Sequence, residues 1–282
     1  MEINSWSAFL LPYEQAVAEL LMKFRSLKHA STVMGKYTPI ESVNGRVKSI
    51  KSILDKMQKK TGSVRDVTTE SIEAVVEDIA GIRLICRFVD DIDKVMALVE
   101  KRTDMTILKK KDYLGNQKKS GYRSLHLIIS YVVQTVKGPQ AIKAEIQIRT
   151  MSMNFWAATE HSLQYKYRGE MPAHITEKLQ RVSDVLAELD EEMSSVRDEI
   201  IDAQLNHSMH VQIVREILRA IENMYSVTSK REVKKIQDEF YEIYSKNDIQ
   251  ALILFAKHLD IMTESYRVQS VDSTMPKYIN GD

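Results

Sequence analysis

The chain of 282 residues has a single cysteine, five prolines and nine glycines. Cys86 stands alone in an apolar run, which excludes an intramolecular disulfide and a cysteine-built metal site and suits a reducing compartment. Long hydrophobic runs are missing too. The longest purely apolar stretch near the C-terminus, residues 251–256, is far short of the roughly 20 residues that a membrane span needs. The first residues include Glu2, Asn4 and Ser5 where a secretory signal would carry a basic segment and then an apolar one, so a cytoplasmic location is expected. Charge of one sign is not in excess: 40 Lys plus Arg against 39 Asp plus Glu leave +1. That balance argues against a surface given over wholly to nucleic acid, while leaving room for a local basic patch. None of the seven histidines is followed by Asp, and no HExxH spacing occurs. The first absence weighs against a metal-dependent phosphohydrolase, the second against a zinc site. What is abundant is apolar material, 44% of residues, enough for one large or two small domains.

Trp6, Phe9, Leu10, Tyr13, Val17, Leu20, Leu21 and Phe24 recur at helical spacing and predict one long N-terminal helix. Val43, Val47, Ile50, Ile53, Leu54 and Met57 predict a second helix, with Arg46, Lys48, Lys51, Lys56, Lys59 and Lys60 on its polar face. From residue 81 the period becomes extended. Residues 81–88 read as a strand with Arg83 and Arg87 on one face, followed by a short helix over 92–99, a strand near Thr106 and Ile107, and a strand over 124–131. Residues 141–149 give the cleanest alternation, with Ala144, Ile146 and Ile148 opposite Lys143, Glu145, Gln147 and Arg149. Everything after Thr150 reads as helix. The expected fold is α+β: a mixed, mostly antiparallel sheet of about five strands flanked by helices, with an all-helical C-terminal extension. In the long helix starting near His174, Leu186, Leu189, Met193, Val196, Ile200 and Ala203 form a heptad seam of about two and a half repeats. This seam suits self-association or packing against the later helices. The expected organisation is a domain over 1–204, a helical extension over 205–268 and a disordered tail over 269–282.

Several residues could carry chemistry. If the faces bearing Arg83, Arg87, Lys143, Gln147 and Arg149 coincide, they form a cationic floor around Glu145; alternation alone is equally compatible with an ordinary solvated face. Asp78, just before the first of these strands, is a second carboxylate, though a lone Asp there also serves as a cap or turn. Two carboxylates among many cations suit a Mg²⁺-bound phosphate chain. The segment 109–123 combines Lys109, Lys110, Lys111, Lys118, Lys119 and Arg123 with Gly115, Gly121 and Tyr122. Cations for phosphates, glycines for close approach and an aromatic face for a base describe a nucleotide site or, equally by composition, a solvated basic loop. Neither the GxxxxGK[ST] loop nor the dinucleotide fingerprint occurs, and His126 and His161 stand singly.

In order along the chain, residues 44–48 (NGRVK), 77–83 (EDIAGIR), 120–126 (SGYRSLH) and 144–150 (AEIQIRT) resemble the synthetase domain of the RelA/SpoT alarmone family. Residues 153–157, 160–162 and 165–167 look like the end of the same domain. The opening WxxFLLPYEQAV and the helix with 189–193 (LDEEM) narrow the resemblance to small, stand-alone synthetases of the RelQ type, over roughly residues 5–204. The resemblance implies a nucleotidyltransferase-like fold. It implies an enzyme that transfers the β,γ-diphosphate of ATP to the ribose 3′-hydroxyl of GTP or GDP, giving (p)ppGpp and AMP without hydrolysis, in the stringent response.

By the same resemblance, Asp78 and Glu145 hold Mg²⁺, with Glu145 also able to draw the proton from the 3′-hydroxyl. Arg46, Lys48, Lys56, Arg83 and Arg123 bind the ATP phosphates, and Lys59 stands near the position where relatives stack an arginine on adenine. Tyr122 stacks on guanine, with Lys118, His126, Gln147 and Arg149 on the acceptor side. Ser42 replaces an aromatic residue of product-responsive relatives, which argues against product activation. Such synthetases commonly form tetramers, so a homo-oligomer is expected. Two other readings stay open: a toxin-like relative that acts on the 3′ end of tRNA, and a non-catalytic nucleotide- or RNA-binding module.

Overall fold

The computed structural model describes residues 3–62, 67–115, 120–167, 171–226 and 228–272. Helix α1 (Ile3–Val33) leads into strand β1 (Ser42–Val47), then α2 (Ile50–Thr61), α3 (Thr69–Val75) and β2 (Ala80–Cys86). There follow α4 (Asp91–Glu100), β3 (Met105–Asp112), β4 (Leu125–Thr135), β5 (Gly138–Thr150), α5 (Met151–Lys166), α6 (Ala173–Met224), α7 (Lys230–Ser245) and α8 (Ile249–Asp272). The five strands form one sheet in the order β1-β2-β5-β4-β3. Among the described residues only β2 and β5 run parallel; the other pairs are antiparallel.

Register sorts the sheet into two faces, because side chains directly across a ladder share a face. Val43, Gly45 and Val47 align with Leu84, Ile82 and Ala80, and these align with Ile148, Ile146 and Ala144. Leu125, Leu127 and Ile129 continue the rows on β4. This apolar face lies in one core with Tyr13, Val17, Leu20 and Phe24 of α1 and Ile92, Val95 and Val99 of α4. The opposite face carries Asn44 beside Arg83, Gln147 and His126, and Arg46 beside Gly81 and Glu145. Burying the apolar face is the main driving force of the fold, and it sets the polar rows on the other side.

Several sequence expectations are corrected. Val43, Arg46 and Val47 lie on β1, and the helix starts only at Ile50, where the Ser49 hydroxyl accepts from the Ser52 amide as N-cap. Lys109, Lys110 and Lys111 belong to β3 and not to a loop. Arg87 lies beyond the end of β2 and pairs with Glu41 at 2.5 Å, away from the polar floor. Helix α6 runs unbroken past residue 205, joining the predicted long helix to the segment around Val211 and Leu218. The chain divides into two compact units, 1–196 and 197–282. In the second unit, Ile217, Ile221 and Met224 of α6 pack with Val233, Ile236 and Phe240 of α7 and Leu252, Phe255 and Leu259 of α8. The expected tail lies outside the described residues from 273 onward, and 269–272 belong to α8. No described helix is long and apolar enough to cross a membrane.

Candidate active site

Glu145 projects from β5 into the polar face and is 7% exposed. It is held in a closed ring of hydrogen bonds. Its Oε1 lies 3.0 Å from Nδ1 of His126, and its Oε2 accepts from Nε2 of Gln147 at 2.6 Å. Nε2 of His126 lies 2.8 Å from the Tyr122 hydroxyl, which accepts from Nη2 of Arg149 at 3.0 Å. The same Nη2 donates to Oε1 of Gln147, closing the ring. An ionised Glu145 assigns the tautomer: Nδ1–H of His126 donates to the carboxylate, and Nε2 accepts from the Tyr122 hydroxyl. Burial pushes Glu145 toward the neutral acid, but the hydrogen bonds from His126 and Gln147 outweigh it, and its carboxyl lies below the ordinary value. The alternation of β5 thus reflects, at Glu145 and Arg149, buried polar groups and not a solvated face.

Asp78, between α3 and β2, receives Lys48 Nζ on one oxygen at 2.9 Å and Lys56 Nζ on the other at 2.8 Å. Burial opposes its ionisation, yet the two lysines hold its carboxyl below the usual range. Asp78 and Glu145 line one open cavity with Asn44, Gly45, Arg46, Gly81, Arg83 and Gln147. Gly81 leaves the floor open between Arg46 and Glu145, its neighbours across the ladder. Arg83 is half-buried, and burial together with repulsion from Arg149 and Arg46 lowers its pKa. Cations that repel one another around a polar cavity form a site for an anion with several negative oxygens.

Asp78, Glu145, Arg46, Arg83 and Gln147 therefore meet at the cavity, and Lys48 and Lys56 reach it through Asp78. Tyr122, His126 and Arg149 adjoin it through the ring. Tyr122 is flanked by Tyr113 at 5.9 Å and Trp156 at 6.2 Å between ring centroids, and Arg149 lies over it at 5.6 Å. Lys59, on the exposed last turn of α2, does not line the cavity. Lys118 lies outside the described residues. Arg123 does not line the cavity either: it pairs with Asp184 of α6 at 3.2 Å. Lys143 is exposed and donates to the Glu73 carbonyl at 3.3 Å. Sequence reasoning missed Asn44, Gly45, Gly81, Tyr113 and Trp156. Asn44, Gly45 and Gly81 adjoin residues it did single out, but only strand register shows that Asn44 and Gly81 share the polar face, with Gly45 lining the cavity between Asn44 and Arg46.

The fold and the cavity together define a mixed-sheet protein with an anion-binding cavity, in which two carboxylates are set among cations. Residues 45–170 match the region found in RelA / SpoT proteins. The chain is 44% identical over 204 residues to the GTP pyrophosphokinase YjbM of Bacillus subtilis, covering 72% of this chain and 94% of that protein. It is 37% identical over 198 residues to the GTP pyrophosphokinase YwaC of the same organism, covering 70% and 93%. The small alarmone synthetase 1 of Bacillus subtilis bound to its product pppGpp superposes with a TM-score of 0.65 at 45% identity, over 70% of this chain and 98% of that one. The chain belongs to the RelA/SpoT family.

Proposed function

We propose that the protein is a GTP pyrophosphokinase of the small alarmone synthetase class, moving the β,γ-diphosphate of ATP to the ribose 3′-hydroxyl of GTP or GDP. The observation that carries this reading is the pair Asp78 and Glu145 in one cavity with Arg46 and Arg83. The 3′ oxygen forms a bond to the β-phosphorus, the bond from that phosphorus to the α,β-bridging oxygen breaks, and AMP leaves. Arg46, Arg83, Lys48 and Lys56 bind the phosphates and stabilise charge growing on the leaving group. Tyr122 stacks on guanine, with His126, Gln147 and Arg149 fixing it and Glu145 relative to each other. Glu145, kept ionised by its ring, accepts the 3′-hydroxyl proton.

Mg²⁺ fits this donor set. It takes one or two carboxylates and completes its shell with substrate oxygens and water, and Asp78 and Glu145 share the cavity wall. When bound there it would neutralise phosphate charge. We also propose a homo-oligomer, with a tetramer favoured, through the stripe Leu189, Met193 and Val196 of α6, which stand 50%, 48% and 44% exposed. Met193→Glu is expected to lower the mass seen in sedimentation velocity; an unchanged mass removes the stripe from the interface.

The direct test incubates purified protein with Mg²⁺ and γ-³²P-labelled ATP and offers GDP, GTP or deacylated tRNA separately. Label in guanosine nucleotides is expected. Label in tRNA alone would instead establish the toxin-like reading, and no transfer to any acceptor would leave a binding module.

A further inference from the structure

The chain segment that presents Tyr122 lies outside helix and strand. Gly121, at φ +87°, is in the left-handed region, and a side chain added there would place its Cβ 2.6 Å from Cβ of Ser183. The segment rests directly on α6, whose first half lies in the same compact unit. Ser183 Oγ, buried, donates to the Gly121 carbonyl at 2.5 Å. One residue on, Asp184 pairs with Arg123 at 3.2 Å, and Gln180 Nε2 donates to the same Asp184 oxygen at 3.1 Å. Residues 121 and 123 are thus both fastened to consecutive residues of one helix, and Tyr122 lies between the two fastenings.

We propose that Ser183 and Asp184 are positioning residues for the acceptor nucleotide: they fix the backbone on either side of Tyr122 and so set the ring on which the base stacks. This rests on Tyr122 being the stacking residue, as in the proposed function. Neither side chain lines the cavity of Asp78 and Glu145, so neither touches the reacting phosphates. Their influence falls on acceptor binding and leaves ATP binding alone. Losing one anchoring hydrogen bond or ion pair of this kind corresponds to roughly 1 kcal/mol, or about fivefold in the acceptor KM, with the pair together giving more than tenfold.

The test uses the full chain and compares Ser183→Ala, Asp184→Ala, Asp184→Glu and Tyr122→Ala with the parent. KM for GDP, KM for ATP, kcat and the thermal midpoint are measured for each. Ser183→Ala and Asp184→Ala are expected to raise the KM for GDP severalfold with the KM for ATP within twofold and the midpoint little changed. Asp184→Glu, which keeps a charge opposite Arg123, is expected to restore much of the loss. An unchanged KM for GDP, or both KM values rising together with a falling midpoint, overturns the proposal. Tyr122→Ala separates the two layers. If it leaves the KM for GDP unchanged while the α6 variants raise it, Tyr122 is not the platform but the anchoring of the acceptor side by α6 stands. If Tyr122→Ala alone raises it, the platform stands and the positioning role fails.

Discussion

Replacing Glu145 by Gln keeps the shape of the side chain while removing its charge, and the hydrogen-bond ring makes the outcome calculable. The carboxylate accepts from His126 Nδ1 at 3.0 Å and from Gln147 Nε2 at 2.6 Å. An amide offers one acceptor and one donor, so one of these two partners must change. Gln147 Nε2 has only protons to offer, so it keeps the amide oxygen, and the new amide N–H faces His126. His126 accommodates it by moving its proton to Nε2, and the Tyr122 oxygen accepts in place of donating. The loss in stability is therefore at most that of a mispaired buried group, about 1–3 kcal/mol, or a midpoint shift of a few °C. Turnover should suffer far more. Removing a general base costs about 10²- to 10⁴-fold, or roughly 2.7–5.5 kcal/mol of barrier. The assay is diphosphate transfer from ATP to GDP at saturation in both, with the thermal midpoint recorded on the same preparation. Turnover above about a tenth of the parent value, with the fold intact, would refute the assignment of Glu145 as proton acceptor.

Asp78→Asn should reduce turnover at least as far, because it also leaves Lys48 and Lys56 facing each other without the charge they share; a variant with normal ATP dependence would remove Asp78 from the phosphate site. Gly45→Ala should destabilise by about 1–3 kcal/mol, read by thermal melting, since its Cβ would lie 2.9–3.1 Å from Ile82, Val17 and Leu21. Asp104, hydrogen-bonded by Arg102 and Lys23, is depressed from 3.8 to about 2. A depressed carboxyl stabilises the fold above its unfolded value and loses that contribution as pH falls through the folded one, so the parent should lose stability between about pH 4 and 2 and Asp104→Asn should lose less there. Equal acid sensitivity in the two proteins would contradict this.

The parts of the fold that follow one clear period were legible in the sequence: the α1 stripe, the short helix over 92–99 and the alternation of β5. Strand β1 was hidden because the middle of its inward positions is Gly45, where α1 comes too close for a larger residue. With that hydrophobe missing, Val43 and Val47 fall into helical phase with Ile50. The start of β3 near Thr106 and Ile107 was expected, but its second half was hidden by three consecutive lysines and by a register irregularity between Ile107 and Lys109, which breaks the period of two. Helix α6 continues past 205 because no Gly or Pro stands there to end it. At the site, the carboxylates and most cations were identifiable from residue type and from the resemblance. The pairing of Arg123 with Asp184 was not legible, because Asp184 lies on a distant helix that local sequence does not bring near.

The single parallel pairing in the sheet bears on how the enzyme comes to life. Asp78 leads into β2 and Glu145 sits on β5, and the register that sets Gly81 beside Glu145 belongs to that pair. Every β4–β5 and β3–β4 contact can form between near neighbours in sequence, whereas β2 must close a long loop to reach β5. The two carboxylates are therefore strangers until the most non-local strand pairing of the sheet is made. During refolding, activity should return with β2–β5 docking, after the neighbouring hairpins have formed.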